Sequence, residues 1–236
     1  MTRAPTTEVL KLTGESPLPL SAIWMRPGHA GACLVLAHGA GAGMTHPFME
    51  QVSTALAAHG VATLRFQFPY MEKGSKRPDS PAVAHAAIRD AVAVARRRCG
   101  DLPLLAGGKS FGGRMTSQAQ ALAPLEDVRG LVFFGFPLHP AGKPAIARAE
   151  HLEGIRVPML FVQGTRDKLA EPELLGPVIR SLGKRATLHP IADADHAFHV
   201  PARTGRRDGD VISEMCGAVA EWIGRVVDQG RRRGTT

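Results

Sequence analysis

The chain has 236 residues, of which 44% are hydrophobic and 21% charged, and its formal net charge is +8. No apolar run approaches the ~20 residues that a membrane-spanning helix needs, which excludes a transmembrane protein. We expect no signal peptide, because the N-terminal segment lacks an apolar stretch, and the three widely spaced cysteines fit neither a disulfide framework nor a zinc site. The composition favours one cytoplasmic α/β domain over residues 1–236, with no metal.

The positive charge raises the hypothesis of nucleic-acid binding. Much of the excess falls in three clusters, at Arg96–Arg98, residues 203–207 and Arg231–Arg233. The first suits the last turn of a helix, and the last belongs to a tail that we expect to be frayed from about residue 229. No nucleic-acid-binding motif accompanies these clusters, so we expect no nucleic-acid partner.

Strand-like and helix-like segments alternate along most of the chain. The predicted strands are 8–11, 21–26, 32–37, 61–66, 102–106, 131–134, 159–162 and 186–191, and the predicted helices are 47–59, 82–98, 111–123, 172–182 and 210–227. This order predicts an α/β fold, with a mostly parallel central sheet and helices on both faces. The first two strands have no helix between them, which predicts an antiparallel edge. Long loops are expected over 70–81 and 137–158, the second with a short helical piece.

The strongest motif is Gly108-Lys109-Ser110-Phe111-Gly112, which fits the pattern G-x-S-x-G between an apolar strand and a helix rich in small residues. This context is typical of a nucleophile elbow, so Ser110 is the predicted nucleophile. A phosphate-binding P-loop is excluded because Pro103 stands where that motif needs glycine. The glycine-rich run 39–43 is followed by Met44 and lacks the last glycine of a dinucleotide fingerprint, so no cofactor is implied.

A nucleophilic serine needs a base and an orienting acid. In proteins with a nucleophile elbow, both follow the serine along the chain, first the acid and then the histidine. Asp167 follows one predicted strand and His196 follows the next, so both fall at the edge of the sheet where Ser110 lies. His199 is the alternative base. Asp193 and Asp195 are alternative acids, although the acid is expected in the loop of a different strand.

An oxyanion hole is predicted in the segment that begins His38-Gly39-Ala40, directly after an apolar strand. We expect the backbone N–H groups of Ala40 and Phe111 to hold the oxyanion, and His38 to brace the loop by hydrogen bonding. Candidate pocket residues are His38, Gly39, Met44, Phe136 and Leu138. For the last three, simple core packing is an equally good hypothesis.

With these residues assembled, the chain resembles the α/β-hydrolase superfamily over nearly its whole length. Within it, the chain is similar to a dienelactone-hydrolase-like branch that includes testis-expressed hydrolase-like proteins. The similar stretches are HGAGA at 38–42, RFQFPY at 65–70, GGKSFGGR at 107–114, GFPLHP at 135–140 and QGTRD at 163–167. The resemblance implies the triad above and no particular substrate. Dienelactone hydrolases proper use a cysteine nucleophile where this chain has Ser110, which puts dienelactone in doubt as a substrate.

These observations predict a serine hydrolase that cleaves a carboxylic ester or a related acyl bond of a small molecule. The alternatives are a non-catalytic scaffold or binding protein of the same fold, and a peptidase or amidase. Only 22 residues, 135–156, lie between two central strands, too few for a lid of several helices. We therefore expect no large cap domain, an open cleft and a preference for short acyl groups. Lys109 is expected either to bring positive charge to the elbow or to form an ion pair beneath the loop.

Overall fold

Eight strands form one mixed sheet in the computed structural model, which describes the backbone of residues 4–233 and the side chains of residues 4–228. The strands are β1 (Thr6–Leu12), β2 (Leu20–Arg26), β3 (Ala32–Ala37), β4 (Val61–Phe66), β5 (Leu104–Lys109), β6 (Val128–Phe134), β7 (Met159–Gly164) and β8 (Ala186–Ile191). Their order is β1-β2-β4-β3-β5-β6-β7-β8. The pairs β1–β2 and β2–β4 are antiparallel and the other pairs are parallel, so the antiparallel edge is confirmed.

Helices cover both faces of this sheet. They are α1 (Pro47–Ala58), α2 (Pro69–Glu72), α3 (Pro81–Cys99), α4 (Phe111–Leu122), α5 (Pro172–Leu182) and α6 (Asp208–Arg233), with short 3₁₀ segments at Ala147–Gly154, Gly183–Arg185 and Ala202–Thr204. Helices α3, α4 and α5 pack into one apolar core, and α1 and α6 into a second. Along β3, Cys33 and Val35 belong to the first core and Leu34 and Leu36 to the second, because successive side chains point to opposite faces. The predicted fold is confirmed.

The bounds of every predicted strand and helix except the last lie within three residues of those observed, and two segments differ more. The polar loop expected over 70–81 starts inside helix α2. The last helix, predicted over 210–227, is the longer α6, Asp208–Arg233. The backbone is therefore helical as far as Arg233, and the expected fraying from about residue 229 stays a prediction. The rest of that tail, residues 234–236, lies outside the described residues.

The parallel strands bring several loops to one edge of the sheet. Strand β5 ends directly before Ser110, β7 ends at Gly164 shortly before Asp167, and β8 ends at Ile191 shortly before His196. Between β6 and β7 the chain forms only the 3₁₀ segment Ala147–Gly154, so no cap of several helices is built there. Within residues 4–233, no helix is both long and apolar enough to cross a membrane.

Candidate active site

Ser110 lies at a sharp turn between β5 and α4. Its φ of 49° and ψ of −112° are unusual for a residue with a side chain, and such strained backbone is found mainly at functional sites. The N–H of Ser110 donates to the carbonyl of Phe134 on the neighbouring strand over 3.0 Å. The turn leaves the Ser110 side chain partly exposed at the N-terminal end of α4, as a nucleophile elbow requires.

Close contact with strand β3 explains the two glycines of the G-x-S-x-G pattern. A Cβ atom on Gly108 would lie 2.3 Å from the carbonyl oxygen of Ala37, and one on Gly112 would lie 2.5 Å from the same oxygen. Both distances are far below van der Waals contact, and the obstacle is backbone that cannot turn aside. The pattern therefore needs glycine for space, so that α4 can pack against the end of β3.

Gly112→Ala is expected to lower the free energy of unfolding by about 1–3 kcal/mol, because the added methyl group overpacks a closed contact. Gly224→Ala in α6 is the matched control, since a Cβ there meets nothing within 4 Å. Alanine is the better helix former, so the control should gain about 0.5–1 kcal/mol. Urea denaturation measures both variants. Equal stabilisation of the two would contradict the packing argument.

Three side chains from different loops form a continuous chain of hydrogen bonds. His196 Nε2 lies 2.8 Å from Ser110 Oγ, and His196 Nδ1 lies 2.7 Å from Asp167 Oδ2. Asp167 is fully buried, and its Oδ1 accepts the N–H of Leu169 over 2.8 Å while its Oδ2 also accepts from the Gln163 amide. A carboxylate that only accepts hydrogen bonds is suited to the ionised form. Asp167 can thus hold the proton of His196 on Nδ1, which leaves Nε2 to accept a proton from Ser110.

The alternative acids and base make other contacts. The His199 ring is 65% exposed and pairs with Asp208 at 3.1 Å, an interaction that raises the pKa of His199. The Asp195 carboxylate accepts the N–H groups of Ala197 and His199, so it stabilises the turn that contains His196. Asp193 approaches Arg203 at 3.5 Å. The structure brings none of these three side chains into the Ser110–His196–Asp167 chain.

Two residues beside Ser110 have backbone N–H groups that could hold an oxyanion, one in the loop after β3 and one at the start of α4. Within the described residues, the N–H groups of Ala40 and Phe111 donate to no protein acceptor, and both residues line a cleft next to Ser110. His38 is fully buried. Its Nδ1 donates to the Gly39 carbonyl over 2.8 Å, and its Nε2 accepts the N–H of Phe68 over 3.1 Å. Burial lowers the pKa of His38 to about 4, so the ring is neutral and braces the loop.

Comparison with known families agrees with this architecture. A family model described as the alpha/beta hydrolase domain matches residues 30–224. The chain belongs to this α/β hydrolase family. The predicted superfamily is confirmed by a match that includes the elbow and the loops of Asp167 and His196.

Solved structures of other proteins share the fold. A dienelactone hydrolase from Anabaena variabilis has a TM-score of 0.75 at 19% identity, with 94% of this chain and 99% of that chain covered. A Xanthomonas campestris protein described as an α/β serine hydrolase without lid has a TM-score of 0.70 at 20% identity, with 92% and 94% covered. Est1E from Butyrivibrio proteoclasticus has a TM-score of 0.69 at 16% identity, with 93% and 99% covered. At these identities the likeness shows the fold.

Three clefts meet at the candidate triad of this hydrolase-fold chain. An apolar cleft of about 230 Å³ contains Ser110, His196, Phe48 and Met49. A second cleft of about 460 Å³ lies on the other side of Ser110 and is lined by Phe111 and several prolines. A third, of about 600 Å³, lies beside His196. Ser110 and His196 are therefore reached from open surface clefts.

Most of the predicted pocket residues do not line these clefts. Phe136 and Leu138 are fully buried, which favours the hypothesis of core packing over that of pocket walls. The Met44 backbone binds the side chains of Gln67 and Arg65, and Met44 lines none of the three clefts. His38 lies beneath the loop, whereas Gly39 does line the apolar cleft. Phe48 and Met49 of α1, missed from the sequence, take the place expected for Met44.

Two arginines in the second cleft also escaped prediction. Arg114 lies one helical turn after Ser110 on α4, and Arg148 comes from the segment between β6 and β7. Within the described side chains neither forms a salt bridge, and the buried Nε of Arg114 has no hydrogen-bond partner. Burial and the positive charge of Arg148 lower the pKa of Arg114. Asp79 also lines this cleft, and its carboxylate accepts the N–H of Tyr70. With two arginines and one carboxylate in its lining, the second cleft is electropositive on balance.

Proposed function

We propose that the protein is a serine hydrolase that cleaves a carboxylic ester or a related acyl bond through an acyl-enzyme intermediate. The proposal rests on one observation, the hydrogen-bond chain from Ser110 Oγ through the His196 ring to the buried Asp167 carboxylate. A nucleophile, a base and an orienting acid in this order can activate an alcohol for acyl transfer. The open clefts on both sides of Ser110 can take the two halves of a small ester.

In the first half of the reaction, Ser110 Oγ attacks the ester carbonyl and its proton passes to His196 Nε2. Negative charge develops on the carbonyl oxygen. The N–H groups of Ala40 and Phe111 are free to stabilise that charge, and the N-terminal end of α4 favours it further. The C–O bond then breaks, and His196 returns the proton to the departing alcohol.

In the second half, water takes the place of the alcohol. His196 Nε2 removes a proton from the water as its oxygen attacks the acyl-serine carbonyl. The second tetrahedral intermediate collapses to the carboxylic acid and free Ser110, which recovers its proton from His196. Asp167 stabilises the imidazolium in both halves by accepting the proton on Nδ1 as a hydrogen bond.

Short acyl groups are expected to react fastest. The apolar cleft is small, about 230 Å³, and Phe48 and Met49 of α1 are part of its lining. Each further CH₂ left uncovered by protein forgoes about 0.8 kcal/mol of burial. Along a series of p-nitrophenyl esters, kcat/KM should peak between acetate and butyrate and show no rise at palmitate. A steady rise to long chains would contradict the assignment of this cleft.

Phe48→Ala is expected to move that optimum to longer acyl chains, because it removes the wall of the apolar cleft. Leu122→Ala is the control, since Leu122 is an exposed apolar residue at the end of α4 and lines none of the three clefts. It should leave the chain-length profile unchanged. An identical shift in both variants would show that Phe48 does not limit chain length.

The electropositive second cleft predicts a preference for negative charge on the alcohol half of the ester. With the acyl group in the apolar cleft, the alcohol faces Arg114 and Arg148. We expect 4-acetoxybenzoate to be hydrolysed about two- to fivefold faster in kcat/KM than 4-acetoxybenzamide, as for one partly exposed ion pair. Arg114→Gln should remove the difference. Arg96→Gln is the control, because Arg96 pairs with Asp127 at the opposite edge of the sheet. Equal rates for both substrates would refute the preference.

A further inference from the structure

Lys109 links the nucleophile's strand to the loop that carries His196. It is the last residue of β5 and directly precedes Ser110. Its Nζ donates to the backbone carbonyl of His196 over 2.6 Å. Within the described residues it forms no salt bridge, so of the two expectations for Lys109, the ion pair is wrong. Its ammonium group lies next to the backbone of His196, and the residue itself is part of the turn at Ser110.

Two aromatic rings and a glycine lie close to the ammonium group of Lys109, which also lines the apolar cleft. Nζ lies 5.2 Å from the ring centre of Phe198 and 5.8 Å from that of Phe48, within the range of cation–π attraction. A Cβ on Gly135 would lie 3.0 Å from Nζ and 3.5 Å from the His196 ring, and one on Gly39 would lie 3.5 Å from Lys109 Cγ. The lysine side chain thus fills the space between the oxyanion loop and the His196 loop.

The His196 loop has a strained backbone that needs external support. Asp193 has a φ of 58° and Phe198 a φ of 66°, both in the left-handed region. Aspartate adopts this region more readily than most residues, whereas a bulky residue such as Phe198 is strained there. Such conformations persist only where surrounding contacts determine them. Lys109 supplies two of those contacts, one to the carbonyl of His196 and one to the ring of Phe198. Because it adjoins Ser110 in the chain, the same contacts fix the loop relative to the nucleophile.

We propose that Lys109 is a positioning residue which, as a cation, holds the His196 loop at the distance from Ser110 that proton transfer requires. This inference rests on the proposed function. Without the contacts that Lys109 makes with the His196 loop, His196 Nε2 could move away from its 2.8 Å contact with Ser110 Oγ. A misplacement of about 1 Å between reacting groups can cost about 100-fold in rate.

The charge of Lys109 responds to several neighbours. Burial lowers the pKa of Lys109 to about 8, against the opposing attraction of Asp167 and Asp195. The other titratable groups facing it are the rings of His196 and of His46, which lines the same cleft. The ammonium form is present below pH 8 and is lost as pH rises through that value. The neutral amine keeps a weaker hydrogen bond and no cation–π attraction, so the hold on the loop should weaken above pH 8.

The test compares Lys109→Met with Lys109→Arg on p-nitrophenyl acetate between pH 6 and 10, with Ser110→Ala as the blank for spontaneous hydrolysis. At pH 7 the methionine variant should lose about 10- to 100-fold in kcat with little change in KM. The arginine variant should recover most of kcat. Wild-type kcat should fall above about pH 8 and that of Lys109→Arg should not, since arginine stays charged. Lys184→Met, at an exposed site remote from the triad, is the control and should match the wild type.

A methionine variant with kcat within about threefold of the wild type, or a wild-type profile flat from pH 8 to 10, would overturn the proposal. If Lys109→Met fails to fold, the wild-type and Lys109→Arg profiles decide alone. The rate at which a fluorophosphonate labels Ser110 distinguishes a failure of the role proposed for Lys109 from a failure of the proposed hydrolase function. If Lys109→Met is labelled at the normal rate, the role of Lys109 is refuted and the proposed function stands. If Ser110 of the folded wild type is not labelled, both proposals are refuted.

Discussion

Ser110→Ala is expected to lower kcat/KM for every ester that the wild type cleaves by at least about 10³-fold, the scale found when a catalytic serine is removed. Neither other member of the proposed triad is expected to act as the nucleophile, because Asp167 is fully buried and His196 is the proposed base. Backbone donors in the oxyanion hole would leave a small residual rate. Initial rates on p-nitrophenyl acetate measure the loss.

The fold should survive this substitution, since alanine removes one partly exposed hydroxyl and leaves no buried cavity. Ser181→Ala on helix α5 is the matched control and should keep the wild-type rate, because Ser181 is an exposed serine that lines none of the three clefts at the triad. Thermal unfolding of both variants checks that the loss at Ser110 is chemical. Activity of Ser110→Ala within a few-fold of the wild type would show that the nucleophile lies elsewhere.

The second large effect distinguishes two neighbouring histidines. His196→Ala is expected to lose about 10³-fold or more in kcat, because Ser110 Oγ then has no base to accept its proton. His199→Ala should stay within a few-fold of the wild type, because its ring is exposed and pairs with Asp208 on α6. Steady-state rates on one ester measure both. The reverse pattern, with His199→Ala inactive and His196→Ala active, would exchange the two assignments.

The fold and the meeting of three side chains at one sheet edge could be predicted because their causes are local. The glycines around Ser110 are required by contact with Ala37, and that requirement produces the G-x-S-x-G pattern. Asp167 and His196 follow strands whose parallel pairing brings their ends together. Catalytic roles for these residues stay predictions.

The pocket walls could not be predicted because they depend on packing between distant segments. Phe136 follows β6 and could point to solvent or to the core; its ring packs against Phe133 and Phe161 in the core. Arg148 reaches the second cleft from a segment with little regular structure. Arg114 is different. It lies four residues after Ser110 on a predicted helix, so helical spacing alone would have placed it on the same face.

The central claim is that Ser110 is an activated nucleophile, and active-site labelling tests it most directly. The folded wild type is treated with a fluorophosphonate, its intact mass is measured, and the modified tryptic peptide is sequenced. The account predicts one adduct, on Ser110, that disappears in Ser110→Ala and is strongly slowed in His196→Ala. An unmodified protein, or an adduct on another residue that persists in Ser110→Ala, would contradict it.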